Sequence, residues 1–342
     1  MARYVLRRCA WFLVGLALTS VVVFAALRVL PGDAAQVMGG LKATPGQLAE
    51  IRARYGLDQP LVEQYWDWVS GLLRGDLGTS LVTGVPISGQ LVEKFAVTLP
   101  LAGLSLALGV ALGVTAGLAA ALRHRHWDGV AVNALAQAVA AIPVVWAALL
   151  LIIVFGRGGP LLGLLPSQGF PLDGWDQPGA AFASLVLPAV AVALVEGAAV
   201  LRFVRSAMLE AGSQDYVRTQ AALGLTQKAA LVRRGLPNAG LAILSVIGLQ
   251  AAGLIVGVVV MEEVFALPGL GSMLVDDVGN RDLVKVQSTI LVLVGLVLAI
   301  GLAVDLAGRA IDPRLRQQPA AKLRQASPAR RRPRPQAAQA SA

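Results

Sequence analysis

The residues that could do chemistry are few, and no catalytic set is visible among them. His124 and His126 share one short loop, and two imidazoles without a third ligand make a poor metal site. The single cysteine, Cys9, stands at the edge of an apolar run, so no disulfide can close within the chain. There is no G-x-x-x-x-G-K-S/T, hence no phosphate cradle of that kind. No nucleophile stands with a base at a useful spacing. The expectation is a chain with no catalytic residue, no metal and no cofactor. Two features of another kind remain. Glu196 is an acid deep in an apolar run, and an acid placed so is costly and a functional candidate by default. The stretch from Glu210 to Asn238, EAGSQDYVRTQAALGLTQKAALVRRGLPN, lies between two apolar segments and is too polar to cross a bilayer. Its chemistry is recognition, or contact with a surface.

The elements that hold these residues are set by composition. Of 342 residues, 56% are hydrophobic and 14% charged, where a soluble domain carries about 25% charge. The chain therefore reads as an all-α membrane protein. Apolar runs cover about Cys9–Leu30, Phe95–Leu122, Val130–Phe155, Ala181–Val204, Ala239–Met261 and Val286–Leu306, predicting six transmembrane helices. The first is long enough to span and is followed by PGD rather than a small-residue cleavage site, so it is read as a span and not a signal peptide. Pro143 falls inside the third run, as a packing kink or a gating hinge. Gly253 and Gly257 in the fifth form a G-x-x-x-G, which permits close helix contact. No internal repeat stands out.

The chain divides into residues 1–30 (N-terminus and first span), 31–95, a core of 96–309, and a tail of 310–342. Region 31–95 has seven acidic and five basic residues, repeated Gly and Pro, and Tyr55, Tyr65, Trp66 and Trp68, and reads as a small extracytoplasmic element. Within it Thr44 can cap a helix reaching Tyr55, with Pro45 in the first turn. Residues 156–180 are Gly/Pro-rich, and 262–285 form an acidic loop. The tail from Pro319 is Pro-, Ala-, Gln- and Arg-rich and reads as disordered. Nine basic residues stand from Arg309 onward against Asp312, which suits anionic lipid rather than nucleic acid. With six spans and both termini cytoplasmic, the inside segments (the N-terminus, 123–126, 205–238 and the tail) are all basic, and the three outside segments are neutral to acidic.

In the polar stretch, Ser213 or Asp215 can start a helix whose apolar side is Tyr216, Ala222 and Leu223, with Arg218 and Gln220 polar. Gly224 suits a helix stop. Thr226 can cap a second short helix with Arg233 and Arg234 near its C-terminal end, and Pro237 breaks the pattern before the fifth span. Such a helix pair suits docking into a groove of a soluble partner, or resting on lipid. For Glu196 two readings stand: it lines a pathway, or it pairs with Arg202 or a neighbouring helix.

The stretch resembles the EAA loop of permease subunits in binding-protein-dependent ABC importers. That pattern is E-A-A, three residues, G, nine residues, I-x-L-P. Gly224, Leu236 and Pro237 fall at the matching spacing; Arg218, Thr219 and Gln220 occupy the E-A-A positions, and Arg234 replaces the Ile. The run from Asp215 to Thr219, DYVRT, is similar to the peptide and nickel branch. LRVLPGD (27–33), YGLDQPL (55–61), GLLRGDLGTSLVTGVPI (71–87), VFALPGLGSMLVDDVGNRD (264–282) and DLAGRAIDPRLR (305–316) also resemble its DppB/OppB type, covering roughly residues 1–316. Glu196 and the tail after Arg316 lie outside the resemblance.

The resemblance implies a type I permease in the cell membrane, half of a translocation pathway, importing di- or oligopeptides, or else nickel, glutathione or another small solute. It implies a DppC/OppC-like sister permease, two ATPase subunits and an extracytoplasmic substrate-binding protein. The residues implied to couple to the ATPases are Asp215, Tyr216, Arg218, Thr219, Gln220, Gly224, Leu236 and Pro237. An ion-driven secondary transporter would leave the loop unexplained and shows no repeat; a scaffold or sensor would need no ordered coupling loop.

Overall fold

The computed structural model describes residues 2–29, 34–40 and 43–311. The tail expected to be disordered lies outside them from residue 312 onward, as do residues 30–33 of the first family-like motif. Among the described residues all helices and no strands are formed. In chain order they are α1 (Ala2–Val29), α2 (Ala34–Gly39), α3 (Pro45–Arg54), α4 (Leu61–Leu73), α5 (Ile87–Leu122), α6 (Trp127–Ala141) and α7 (Val144–Phe155). There follow α8 (Pro178–Ser213), α9 (Asp215–Ala222), α10 (Gln227–Ala230), α11 (Leu236–Val264), α12 (Leu270–Gly279) and α13 (Leu283–Ile311). Five of these are long and apolar enough to cross a membrane, within α1, α5, α8, α11 and α13, and the bent α6–α7 pair, taken as one broken span, makes up to six.

That sixth crossing differs from its expectation. Pro143 does not kink one helix; it ends one and starts another, and the two axes turn through 105°. Proline has no N–H for the ladder, and its ring pushes the residue before it out of the helical region. Ile142 is indeed extended, at φ −83° and ψ 125°. Proline alone does not decide the outcome, since α5 and α8 run straight through Pro100 and Pro188. The two halves here have separate seats: Ala136 of α6 packs with Ala198 and Leu201, while Ala148 of α7 packs in the cluster of Leu185 and Leu187.

The mast of the bundle is α8, and α5 lies closest against it. Gly109, Gly113 and Gly117 repeat every four residues along α5 and face α8. A Cβ on Gly113 would come within 2.6 Å of Val200 Cβ and 2.7 Å of the Gly197 carbonyl oxygen. Small residues at this spacing let two helix backbones approach in a membrane, where shape rather than hydrophobicity drives association. The G-x-x-x-G of α11 is not such a seam: nothing stands within 4 Å of a Cβ built at Gly253, and Gly257 meets only Val192, at 3.7 Å.

Alternation of the helices brings 123–126 and 209–238 to one end, called here the loop end, where both line a single cavity. The start of α1 is there too, with Arg8 paired to Asp305 of α13 at 2.8 Å. The opposite end is a dense polar lattice. Thr44 caps α3 with a reciprocal bond from Gln47, as its sequence predicts. Tyr65 and Trp68 of α4 pack on Phe24 of α1, and Trp68 Nε1 donates to Ser288 Oγ at 3.2 Å. Asp282 accepts from the Ser80 hydroxyl and from the backbone N–H of Leu81 at 3.1 Å, tying residues 80–82 to the start of α13. Asp277 and Lys285 form a buried pair at 2.8 Å. Burial pushes the Asp277 carboxyl above its usual range, and the Lys285 ammonium works against that shift. Glu262, assigned to an acidic loop by sequence, is instead wholly buried at the end of α11. It accepts from Thr98 Oγ1 and from the N–H of Gly271, both at 2.6 Å. The chain can hold an acid there because donors from two elements meet it, which no local pattern signals.

Candidate functional site

At the loop end α8 runs on to Ser213, so the polar stretch begins inside that helix. Ser213 does not start the next one; its hydroxyl donates to the Glu210 carbonyl at 2.7 Å. The chain turns at Gln214, which is extended, and α9 begins at Asp215. An acid in the first turn is favoured by the partial positive charge of the helix N-terminus. Gly224 ends the element at φ +100°, a conformation that side chains with a Cβ rarely adopt. Thr226 then caps α10 by accepting from the Ala229 N–H at 3.3 Å.

The next stretch departs from expectation. Pro237 does not break the chain between two helices. Residues Leu231–Gly235 form a π turn that carries α10 directly into α11. The Leu236 N–H reaches back five residues to the Leu231 carbonyl, so the ladder is already out of α register where the proline arrives. Pro237 thus sits in the first turn of α11, where its missing N–H costs least. Arg233 and Arg234 lie in the π turn, and the Asn238 amide donates to the Arg234 carbonyl at 2.6 Å.

The expected site residues separate into two sets. Asp215, Tyr216, Arg218, Thr219, Gly224 and Pro237 are exposed, Gln220 is half-buried, and Leu236 packs inward. Arg218 reaches Asp215 only at 4.0 Å, between two highly exposed groups, and a pair of that kind contributes little. Tyr216 and Ala222 of α9 and Leu223 just past it, expected as an apolar side, are all exposed, Tyr216 at 38% and Leu223 at 75%. The residue that anchors α9 is Val217, which is 1% exposed and was not singled out by sequence reasoning. It belongs to one buried cluster with Met208 and Ala211 of α8 and Leu231 of the π turn, against which Leu225 and Leu236 pack. A short helix is thereby clamped on one side and presents Tyr216 and Leu223 on the other. Beside it lies a cavity of about 380 Å³ whose rim carries His124, Arg125, His126 and Lys228. The loop end therefore offers an apolar ridge next to a basic groove, and no catalytic arrangement among the described residues.

Glu196 stands apart from this, at the middle of α8. It does not pair with Arg202. Gln250 of α11 donates to Glu196 Oε2 at 2.6 Å. Gln250 is itself a polar residue in an apolar run, the same signal that singled out Glu196, and could have been found by it.

Comparison with known proteins gives the arrangement its family. Residues 113–317 match the family described as binding-protein-dependent transport system inner membrane component, and residues 1–102 match the N-terminal region of such components. A probable peptide ABC transporter permease protein of Sinorhizobium fredii is 37% identical over 320 residues, covering 92% of this chain and all of that one. The glutathione transport system permease protein GsiC of Salmonella choleraesuis is 34% identical over 316 residues, covering 92% and 99%. Among solved structures, a chain of the MetNI methionine ABC transporter, described in inward-facing conformations, superposes with a TM-score of 0.52. It is 19% identical and covers 66% of this chain and 97% of that one, a likeness of fold. Membership implies ATPase and substrate-binding partners on other chains, the relatives being permease subunits and not enzymes. The chain belongs to the binding-protein-dependent inner membrane components: it is a multi-pass permease subunit of an ABC importer.

Proposed function

We propose that this permease imports di- or oligopeptides and that the segment 210–238 is the socket for its ATPase. In this reading the loop end and both termini face the cytoplasm, as the excess of Arg and Lys there favours. A sister permease completes the pathway, two ATPase subunits dock at the loop ends, and an extracytoplasmic binding protein contacts the region 31–95. The observation that carries the reading is the posture of α9. Val217 fixes it to the bundle, while Tyr216 and Leu223 are left free for a partner's groove. A rigid helix held this way moves with whatever grips it. Closure of the ATPase pair on nucleotide then rocks the spans through one element with two positions.

Peptides are favoured as cargo because a peptide permease relative aligns along the whole of its own length. Glutathione is the second reading, since its permease aligns nearly as fully; it is itself a tripeptide with a γ-linkage. The test is reconstitution of the whole complex in proteoliposomes with its ATPases and binding protein. Short α-linked peptides are expected to raise ATP hydrolysis and to accumulate inside. Accumulation of glutathione alone transfers the assignment to the second reading, and uptake by the isolated chain without ATPases overturns the importer mechanism.

A further inference from the structure

The middle of the bundle holds a feature that the coupling mechanism does not use. Where α6 breaks at Pro143, a cavity of about 360 Å³ opens against α8 and α11, lined by Pro143, Val144, Val192, Val195, Glu196 and Gly257 among others. Its walls are aliphatic apart from one carboxylate. Glu196 is the nineteenth of the thirty-six residues of α8, so it stands near the mid-depth of the crossing, far from either polar end. Among the described residues its sole hydrogen bond is the one from Gln250 to Oε2, which leaves Oε1 without a partner, and no salt bridge includes it.

An acid in this position calls for an explanation. The amide of Gln250 satisfies one oxygen but supplies no charge, so the site as it stands is one cation short. A purely structural tether between α8 and α11 would be served equally by Gln at position 196, without the desolvation cost of a carboxyl. Secondary transporters hold solute at broken helices near the bilayer midplane, and a break of the same kind opens room here. Pro143 provides that break, and Gly257 lacks the side chain that would narrow the cavity from the α11 side.

We propose that Glu196 is a contact for a positively charged group of the solute, a primary ammonium or guanidinium, as it passes the α6–α7 elbow. A cavity of about 360 Å³ has room for a small solute or for one residue of a longer one, and its single carboxylate selects for charge at one position of an otherwise variable solute. Transport through this bundle is taken from the importer reading above, whereas the cation preference of the cavity stands on its own geometry.

Two measurements on the assembled complex test it. In a Cys9→Ser background, Val195→Cys places a thiol on the cavity wall, and its rates with an ammonium-bearing and a neutral methanethiosulfonate reagent of similar size are compared. Glu196 should favour the cationic reagent, and adding Glu196→Gln should lower the ratio of rates by about tenfold, as loss of a nearby charge in a partly dry site implies. An unchanged ratio overturns the proposal whatever the solute is. In the second measurement, uptake of a lysine-containing tripeptide is compared with that of its norleucine analogue. Glu196→Gln should lower kcat/KM for the lysine peptide alone, and Glu196→Asp should retain part of the preference. An equal fall for both peptides reduces Glu196 to a tether and overturns the solute contact. A reduced reagent ratio with no uptake of either peptide by the unmodified complex leaves the cation site standing and refutes the peptide assignment.

Discussion

Gly224→Val is expected to cut ATP-driven uptake by at least about tenfold while the membrane spans stay folded. The glycine sits at φ +100° with nothing within 4 Å of a built Cβ, so the substitution meets no steric wall. Its effect comes through the backbone. A β-branched residue held at such an angle costs on the order of 1–3 kcal/mol. The turn is closed by two backbone bonds, Gly224 N–H to the Ala221 carbonyl at 3.1 Å and Leu225 N–H to the Gln220 carbonyl at 3.3 Å. The strain is relieved by opening the turn, which lets the C-terminal end of α9 swing about Val217, the buried residue of that helix. A socket that swings does not transmit force. Gly224→Asn, whose side chain tolerates positive φ best among the alternatives, should recover part of the activity. Uptake and ATP hydrolysis measured together in proteoliposomes check this, hydrolysis without uptake being the signature of lost coupling. Full uptake by the valine variant contradicts the role given to the turn.

The largest structural effect is expected from Gly113→Leu. A Cβ there falls 2.6 Å from Val200 Cβ, and 2.7 Å from a backbone oxygen that no rotamer change can move. Overpacking a core that can adjust its side chains costs about 1–3 kcal/mol. Here the two helices themselves must part, and α5 against α8 is the most extensive contact in the bundle. The variant should fail to give a monodisperse particle in detergent. Gly253→Leu is the control, since its Cβ points into open space, and surface changes of that kind stay within about 0.5 kcal/mol. Equal thermal stability of the two variants in detergent contradicts the placement of the seam.

The contrast between these glycines shows what the sequence can and cannot say. Every glycine is the same letter: the Gly109–Gly113–Gly117 stripe of α5 is G-x-x-x-G twice over and stands in the sequence as plainly as the single G-x-x-x-G of α11, which alone was singled out. Only the mutual placement of helices tells which stripe meets a neighbour. Features with a local cause were legible: the apolar runs, the Thr44–Pro45 start of α3, the Gly224 stop and the Thr226 cap all follow from a few adjacent residues. Features decided by distant partners were not. Pro143 breaks its crossing where Pro100 and Pro188 do not. Glu262 is buried because Thr98 and Gly271 come to it. Val217 is the anchor of α9 because Met208, Ala211 and Leu231 converge on it, while Tyr216, one position away and more conspicuous, faces out. The continuity of α10 with α11 was hidden for a further reason: a proline reads as a break, and a π turn ahead of it removes the conflict without leaving a compositional mark.

The socket itself is tested most directly by proximity. In a Cys9→Ser background, Tyr216→Cys and Leu223→Cys carry a short photo-crosslinker in the assembled complex, with Val217→Cys as the buried comparison. Crosslinks from 216 and 223 to the ATPase subunits are predicted, with yields that change on adding ATP, and none from 217. Crosslinks from 216 and 223 that reach only lipid, or only the extracytoplasmic binding protein, would contradict the account.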